Sequence, residues 1–428
     1  MAGSDYSGLY KLSRADRLTK LVAQDVLTPI EKTELLTASA EKYNLQAESF
    51  VENAIGCFPL PLGLVTCCLI NNELVNVPLA IEETSVVAGL NKAAKLFREH
   101  GGVVASQDSS EVFGQMYLGC VADLVAAQKI IADNTDQLLC EINDSVFAEM
   151  KLRGGGANKL EFRILDGNIA VLHLYCDTCD AMGANLINMA LEIIKPKVED
   201  LLGTQVGACI VSNLNDCSLT KARVVLSGID AELIDKIVEL SAFAQLDPYR
   251  AATHNKGIMN GMDGVLIATG NDWRAVEAGV HAYAAQGGKY KGVSTWYKNS
   301  DGSLVGELVA PISLGVVGGV TKAHDLAQLA LKIMKIKTAK QLSSVVAAVG
   351  LMQNFSALLA LSSKGIVQGH MLLHINNLIL SSGASVFEQD ALRSKLEKTL
   401  VSNKKVTLND AKVLLVEVRK ESKGLISD

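Results

Sequence analysis

The densest run of reactive side chains is Asp247-Pro-Tyr-Arg250-Ala-Ala-Thr-His254-Asn255-Lys256-Gly-Ile-Met-Asn260-Gly, followed by Ala-Thr-Gly-Asn271-Asp272-Trp-Arg. Lys256 and Asp272 lie 272 − 256 = 16 residues apart, across an apolar strand or helix, so the two can converge at one end of that element. A lysine beside a carboxylate stays charged in a half-buried site, where it can stabilise a developing oxyanion. An ordinary ion pair with a capping aspartate is the plainer reading, and only the polar run around the pair weighs against it.

Glu82-Glu83-Thr84-Ser85 closes a hydrophobic strand and opens a helix. A carboxyl there can be desolvated and its pKa raised toward that of a general acid, or it can simply favour the helix dipole. His370-Met-Leu-Leu-His374 sets two imidazoles at i and i+4 on one helix face, a spacing that suits zinc. No metalloprotease glutamate or third ligand accompanies them, so no metal is expected; an acid role for one histidine outweighs ligation, with burial as the plain alternative. Cys176-Asp-Thr-Cys179 lacks a second pair at zinc-finger spacing and ends a buried strand, which leaves it as two free thiols. Two small-residue loops precede helices, Asp180-Ala-Met182-Gly183-Ala-Asn185 and Leu314-Gly-Val-Val-Gly318-Gly319-Val-Thr321. Free backbone N–H groups at such helix starts bind pyrophosphate or other anions. No Gly-x-Gly-x-x-Gly follows a strand, which argues against a Rossmann site.

The elements that must position these groups are legible from periodicity. Short amphipathic helices are expected around residues 14–50, then a hairpin in which LGLVTCCLI and ELVNVPLAI flank Asn71-Asn72. A helix capped by Thr84-Ser85 should stop at Gly101-Gly102. From about 107 to 216 the pattern changes to helix (121–140), strand (160–165), an Asp166-Gly167-Asn168 turn, strand (169–176), helix (182–200) and strand (205–212), a compact insertion resembling a split βαβ unit. Helical periodicity resumes from Asp230 to Leu246 and dominates to about 362, broken by one hairpin around Asn299 to Gly302. The charged tail reads as helices at 366–381, 385–400 and 407–420, attached near Ser362-Ser363-Lys364-Gly365.

A chain of 428 residues with 49% hydrophobic content can fill two or three cores. Its 40 Lys+Arg against 46 Asp+Glu give a formal charge of −6, and no basic cluster interleaved with aromatics could follow a phosphate backbone, so nucleic acid is not an expected partner. The uncharged stretch Ala54 to Ile70 is interrupted by Gly56, Pro59, Pro61 and Gly63 and falls short of the roughly 20 apolar residues of a membrane helix. The first residues lack the apolar segment of a secretory signal, and nine cysteines, an odd number, suit a reducing compartment; a soluble cytoplasmic protein is expected.

Taken together these motifs resemble those of the 3-hydroxy-3-methylglutaryl-coenzyme A (HMG-CoA) reductases, in the right order across almost the whole chain. Glu52-Asn-Ala-Ile-Gly56 is similar to a family motif associated with the dimer interface and CoA binding. Glu83, Lys256, Asp272 and His370 stand where the family carries its catalytic residues; Asp180, Met182, Gly183 and Asn185, with His173 upstream, match its nucleotide signature. The form of the Asp247–Lys256 segment resembles the bacterial class II enzymes, while Val320 departs from the family's usual small residue. The resemblance implies an α+β fold: a large, mainly helical CoA-binding domain (1–106 and 217–362), an inserted ferredoxin-like nucleotide domain (107–216) and a C-terminal helical flap (363–428). It implies two hydride transfers that interconvert HMG-CoA with mevalonate and CoA, in an unspecified direction, at a site shared within a homodimer or higher homo-oligomer. Lys256 would hold the thioester oxygen, Glu83 donate protons, Asp272 position both and His370 protonate the thiolate. Ser85, Arg250 and Asn260 would bind substrate; Gly318 and Gly319 would join the cofactor loop. NADH is favoured over NADPH because Asp136 resembles the aspartate that NADH-using members place against the adenine ribose, although a solvated Asp on a helix face explains it equally well. A binding-only homologue has no need of four filled catalytic positions, and a thiolase-like enzyme needs a nucleophilic cysteine in a basic setting.

Overall fold

The computed structural model describes residues 6, 8–37, 40–362, 375, 377–403 and 405–424. Helices α1 (Arg14–Ala23), α2 (Pro29–Thr37) and α3 (Ala40–Phe50) occupy the stretch that the sequence marks as amphipathic. Asn71 and Asn72 both take positive φ (50° and 65°), the geometry of a two-residue type I′ turn, and join β1 (Leu62–Ile70) to β2 (Glu73–Ala80) as an antiparallel hairpin. Helix α4 (Val86–Glu99) follows and ends at Gly101-Gly102, both left-handed. Ser85 does not cap α4 as expected: it sits at the N-cap in a left-handed conformation (φ 80°) and its side chain makes no capping bond.

The chain then enters a sheet through β3 (Val104–Gln107) and leaves it for the inserted unit. That unit comprises β4 (Glu111–Leu118), α5 (Leu124–Ser145), α6 (Ala148–Lys151), β5 (Gly156–Ile164), β6 (Ala170–Asp177), α7 (Ala184–Leu202) and β7 (Val206–Val211). Its sheet order, β5-β6-β4-β7, all antiparallel, is that of a split βαβ unit. Strand β4 is absent from the elements expected from the sequence, its alternation being interrupted at Gly114. That glycine has a packing reason, since a Cβ there would stand 2.7 Å from Leu191 and collide with Ile187 on α7. The chain returns through β8 (Leu219–Leu226), also missed, which pairs with β3 at Gln107↔Thr220, so the insertion begins and ends on neighbouring strands.

The remainder is α8 (Ala231–Leu246), α9 (Pro248–Ala268), α10 (Trp273–Ala285), β9 (Ser294–Lys298), β10 (Leu304–Pro311), α11 (Gly319–Ala323), α12 (Asp325–Met334) and α13 (Ala339–Ser362). Strands β9 and β10 form the expected hairpin and complete the sheet in the order β3-β8-β10-β9. In the tail, α14 (Gln389–Asn403) and α15 (Leu408–Gly424) are displaced toward the C-terminus from their expected spans, and the helix read at 366–381 lies mostly outside the described residues.

Hydrophobic side chains gather in three cores. One draws on Val65 to Ala105 and Ala222 to Leu358, a second on Val112 to Val206 within the insertion, and a third on Ile375 to Val418. Helix α13 is the spine of the first. It is long and apolar enough to cross a membrane (hydropathy 1.7), but 72% of that window is buried inside the protein. The segment of membrane-spanning length and apolarity is thus α13 and not the stretch Ala54–Ile70.

Candidate active site

Helix α9 starts because Asp247 accepts a hydrogen bond from the Arg250 N–H (2.9 Å) and Pro248 is already helical in φ. Gly257, Gly261 and Gly264 then lie inside it, each unfavourable by about 1 kcal/mol against alanine. Packing explains two of them. A Cβ on Gly261 would stand 2.9 Å from Gln353 on α13, and one on Gly264 would stand 2.9 Å from Leu79 on β2. The close approach of β2 brings the segment just beyond it against the outer face of α9, where Lys256 Nζ meets Glu83 Oε2 at 2.7 Å, across 173 residues of sequence. Both side chains remain substantially exposed (60% and 44%), so the pair is open to a ligand and contributes at most about 1 kcal/mol to stability. Asn260, one turn on from Lys256, is half-buried with its amide unpaired among the described residues. Arg250 is half-buried without a carboxylate partner among them, and burial lowers its pKa. Ser85 holds its positive φ two residues from Glu83; such strain of a non-glycine residue concentrates at functional sites.

His254, in the same run, is a core residue. Its Nε2 lies 2.7 Å from Ser294 Oγ and 3.2 Å from Asn354 Nδ2, and Asn354 Oδ1 accepts from Ser294 and from Trp296 Nε1. Burial, and secondarily Arg250, push its pKa down to about 4, so the ring is neutral. Periodicity could not separate this structural histidine from its reactive neighbours.

Asp272 stands elsewhere. It caps α10 through the Ala275 N–H (3.1 Å) and its nearest cation is Arg274 at 3.5 Å. Lys256 precedes the end of α9 by 268 − 256 = 12 residues, about 18 Å along a helix. Lys256 and Asp272 thus make no ion pair with each other within this chain, the intervening element being a long helix with Lys256 near its middle.

What Asp272 does adjoin is the pair of small-residue loops. Asn271 Oδ1 accepts from the Gly315 N–H (2.9 Å), and Thr321 Oγ1 donates to the Gly270 carbonyl (3.3 Å). The Val316 N–H in turn donates to the Asp180 carbonyl (2.9 Å), and Gly315 approaches Met182 so closely that a Cβ would stand 2.6 Å from its nitrogen. The Asp180 carboxylate accepts from the Ala339 N–H at the start of α13 (2.9 Å), tying the inserted unit to the large core. Gly183 caps α7 at φ 85° with no side-chain cap, and a Cβ there would collide with Thr178. Gly318 and Gly319 also have positive φ (77° and 55°) and face open space. Two loops read separately as anion-binding helix starts are thus one junction. Met182 and Asn185 lie in it, half-buried and exposed, while Asp136 is exposed on α5.

His173 is away from this junction, on the face of the sheet opposite α5 and α7. It stacks on Phe113 (4.8 Å) and its Nε2 meets Gln115 Nε2 (2.9 Å) and Arg163 Nη1 (3.2 Å). Burial and then Arg163 lower its pKa. Cys176 is buried and its thiol pKa is raised by burial; it and Cys179 are free. No cluster of three or more metal-ligating side chains occurs among the described residues. His370 and His374 lie outside them.

A family profile described as hydroxymethylglutaryl-coenzyme A reductase matches residues 14–375. The chain belongs to that family. It is 40% identical over 418 residues to the 3-hydroxy-3-methylglutaryl-coenzyme A reductase of Archaeoglobus fulgidus, covering 96% of this chain and 94% of that protein. A solved Streptococcus pneumoniae reductase superposes with a TM-score of 0.82 at 37% identity, covering 97% of this chain and all of that one. A class II structure from the same organism, described as bound to NADPH in open conformations, gives 0.81 at 38% identity over 84% of this chain and 100% of its own. The class II resemblance and the α+β class hold.

Proposed function

We propose that this chain reduces HMG-CoA to mevalonate, releasing CoA, at a site completed by a second copy of itself. The reaction is that of its family. The observation behind the two-copy reading is the distance along α9: Glu83 and Lys256 form one half of a site, Asp272 and the glycine junction form another, and one chain holds them apart. A two-fold dimer places the same two patches of each copy opposite the other's.

The junction suits a dinucleotide. The first turn of α7 has no side-chain cap, Gly183 keeps its entry clear, and Gly318-Gly319 leave open space for a pyrophosphate. A reduced nicotinamide bound there would supply one hydride at each of two steps, the oxidised cofactor being exchanged for a reduced one between them. Lys256 donates a hydrogen bond to the thioester oxygen as it becomes an oxyanion, and Glu83 passes it a proton. Asp272 orients the pair from the other copy, and His370 protonates the departing thiolate. Arg250, without a carboxylate partner among the described residues, binds the substrate carboxylate with Ser85 and Asn260. On this reading 1–106 and 217–362 bind CoA, 107–216 bind the nucleotide, and 363–428, with a core of their own, form a flap.

The NADPH-bound Streptococcus relative leaves cofactor choice in this chain open to its own residues. The Asp136 carboxylate favours NADH, since it can accept from the ribose hydroxyls and repels a 2′-phosphate. A soluble cytoplasmic enzyme agrees with the burial of α13. Purified protein should oxidise two equivalents of reduced nicotinamide per CoA released, only when HMG-CoA is present. Oxidation without CoA release would sink the reading.

A further inference from the structure

Helix α3 contributes no described side chain to any of the three cores, yet one of its faces is engaged. Lys42, Gln46 and Phe50 follow one another at intervals of four residues, 46 − 42 = 4 and 50 − 46 = 4, and so line one side of it. They meet three consecutive residues at the elbow between α11 and α12. Gln46 Nε2 donates to the Ala323 carbonyl (3.2 Å), the Phe50 ring stacks on His324 (centroids 6.2 Å apart, planes 10° apart), and Lys42 Nζ pairs with Asp325 Oδ2 at 2.6 Å. We propose that Gln46 and Phe50 are positioning residues, which hold the Gly318-Gly319 loop in shape for the reduced nicotinamide by gripping the far end of α11.

The elbow lacks what this strap supplies. His324 closes α11 and opens α12 in an extended conformation (φ −102°, ψ 113°). Its side chain makes no capping bond to α12, and its Nδ1 is buried without a hydrogen bond to any described group. The last carbonyls of a helix need donors from outside it, and Gln46 provides one to Ala323. The two sides of the elbow are otherwise well held. Thr321 Oγ1 donates to the Gly270 carbonyl (3.3 Å), Gln328 of α12 donates to the Thr321 carbonyl (2.5 Å), and α12 is seated by buried Ala327, Ala330, Leu331 and Met334. The loop itself has no such support, since Gly318 and Gly319 take positive φ and no described atom stands within 4 Å of where a Cβ would project. Ala323 lies 323 − 319 = 4 residues beyond Gly319, about one helical turn, so a displacement at the elbow passes directly to the loop. A loop already in its binding shape spares the ligand the cost of ordering it, and that saving is read as affinity rather than as rate.

The inference rests on the reading of Gly318-Gly319 as cofactor-binding, and the experiment separates the two. With full-length enzyme, Phe50→Ala and Gln46→Glu should each raise KM for NADH and NADPH alike by about fivefold, with KM for HMG-CoA and saturated kcat unchanged. Phe50→Tyr keeps the ring and should restore the wild-type value. Gly319→Val fills the open space of the loop and should raise the same KM by more than about tenfold. An unchanged nicotinamide KM in Gly319→Val would overturn the cofactor reading of the loop. With Gly319→Val impaired, a wild-type nicotinamide KM in both α3 variants would overturn the strap alone, as would an equal rise in both substrates' KM or a fall in kcat that Phe50→Tyr does not reverse. Unfolding of both α3 variants would overturn it too, since the contacts to the elbow would then hold the fold and not the loop.

Discussion

Around Lys256 the site is built by close packing, and around Asp272 it is built by hydrogen bonds between loops. Gly261 and Gly264 let α13 and β2 press on α9, so the backbone beneath Lys256 and Glu83 is fixed by a packed core, yet among the described residues the two side chains hold each other. Asp272 instead sits where Asn271, Gly315, Asp180 and Ala339 link three elements through 2.9 Å bonds. The first half is a rigid platform with a removable charge, whereas the second is a junction that transmits any shift of the inserted unit. Removing a side chain should therefore cost chemistry at the first half and geometry at the second.

The largest expected effect belongs to the first half. Lys256→Ala should lower kcat by at least 10²–10³-fold, about 3–4 kcal/mol of lost oxyanion stabilisation. Its melting temperature should stay within about 2 °C of wild type, because an exposed ion pair contributes at most about 1 kcal/mol. Turnover within tenfold of wild type would remove Lys256 from the chemistry. The comparison itself is tested by mixing. Lys256→Ala and Asp272→Ala subunits, each inactive alone, should regain about a quarter of wild-type activity after random reassociation, since half the dimers are mixed and each has one intact site. No recovery, with subunit exchange verified, would mean that both residues serve the same site from one chain.

Next in size is the packing beneath the first half. His254 is neutral in the fold with its pKa near 4, against 6.5 in the open chain. A lowered histidine pKa makes its contribution full above 6.5 and lost as pH falls toward 4, so stability should rise by about 3 kcal/mol across that window. Urea unfolding at pH 4.5 and 7 should show the rise in wild type and lack most of it in His254→Asn. An unchanged slope would assign acid sensitivity to other groups.

The same contrast explains what the sequence disclosed. The Asn71-Asn72 turn, the Asp166-Gly167-Asn168 turn and the Gly183 and Gly318-Gly319 loops were legible because turn chemistry and left-handed glycines are local properties. Strand β4 was not, since the meaning of Gly114 lies in α7, and Ser85 was misread because a residue favoured as a cap can also be held in strain. The meeting that the spacing of Lys256 and Asp272 allows does not occur as an ion pair within one chain, for a related reason. Spacing gives proximity only when the length and type of the intervening element are known, and a helix of 21 residues with Lys256 in its middle separates what a short strand would join.

The smallest effect expected lies on α5 of the inserted unit. Asp136 is exposed on α5, in the stretch of that helix between Ile131 and Leu138, which are both buried in the core of the inserted unit. Its own carboxylate is therefore held on a fixed backbone while remaining free to face solvent or a ribose. A carboxylate that accepts from both ribose hydroxyls and repels a 2′-phosphate should shift the NADH/NADPH ratio of kcat/KM by about tenfold, or about 1.4 kcal/mol. Asp136→Ala should lower that ratio mainly by raising kcat/KM for NADPH, because the repulsion vanishes whereas the lost hydrogen bonds are replaced by water. A ratio that does not change would show that Asp136 is a solvated residue of α5 and that cofactor choice is made at the junction of Gly183 with Gly318-Gly319.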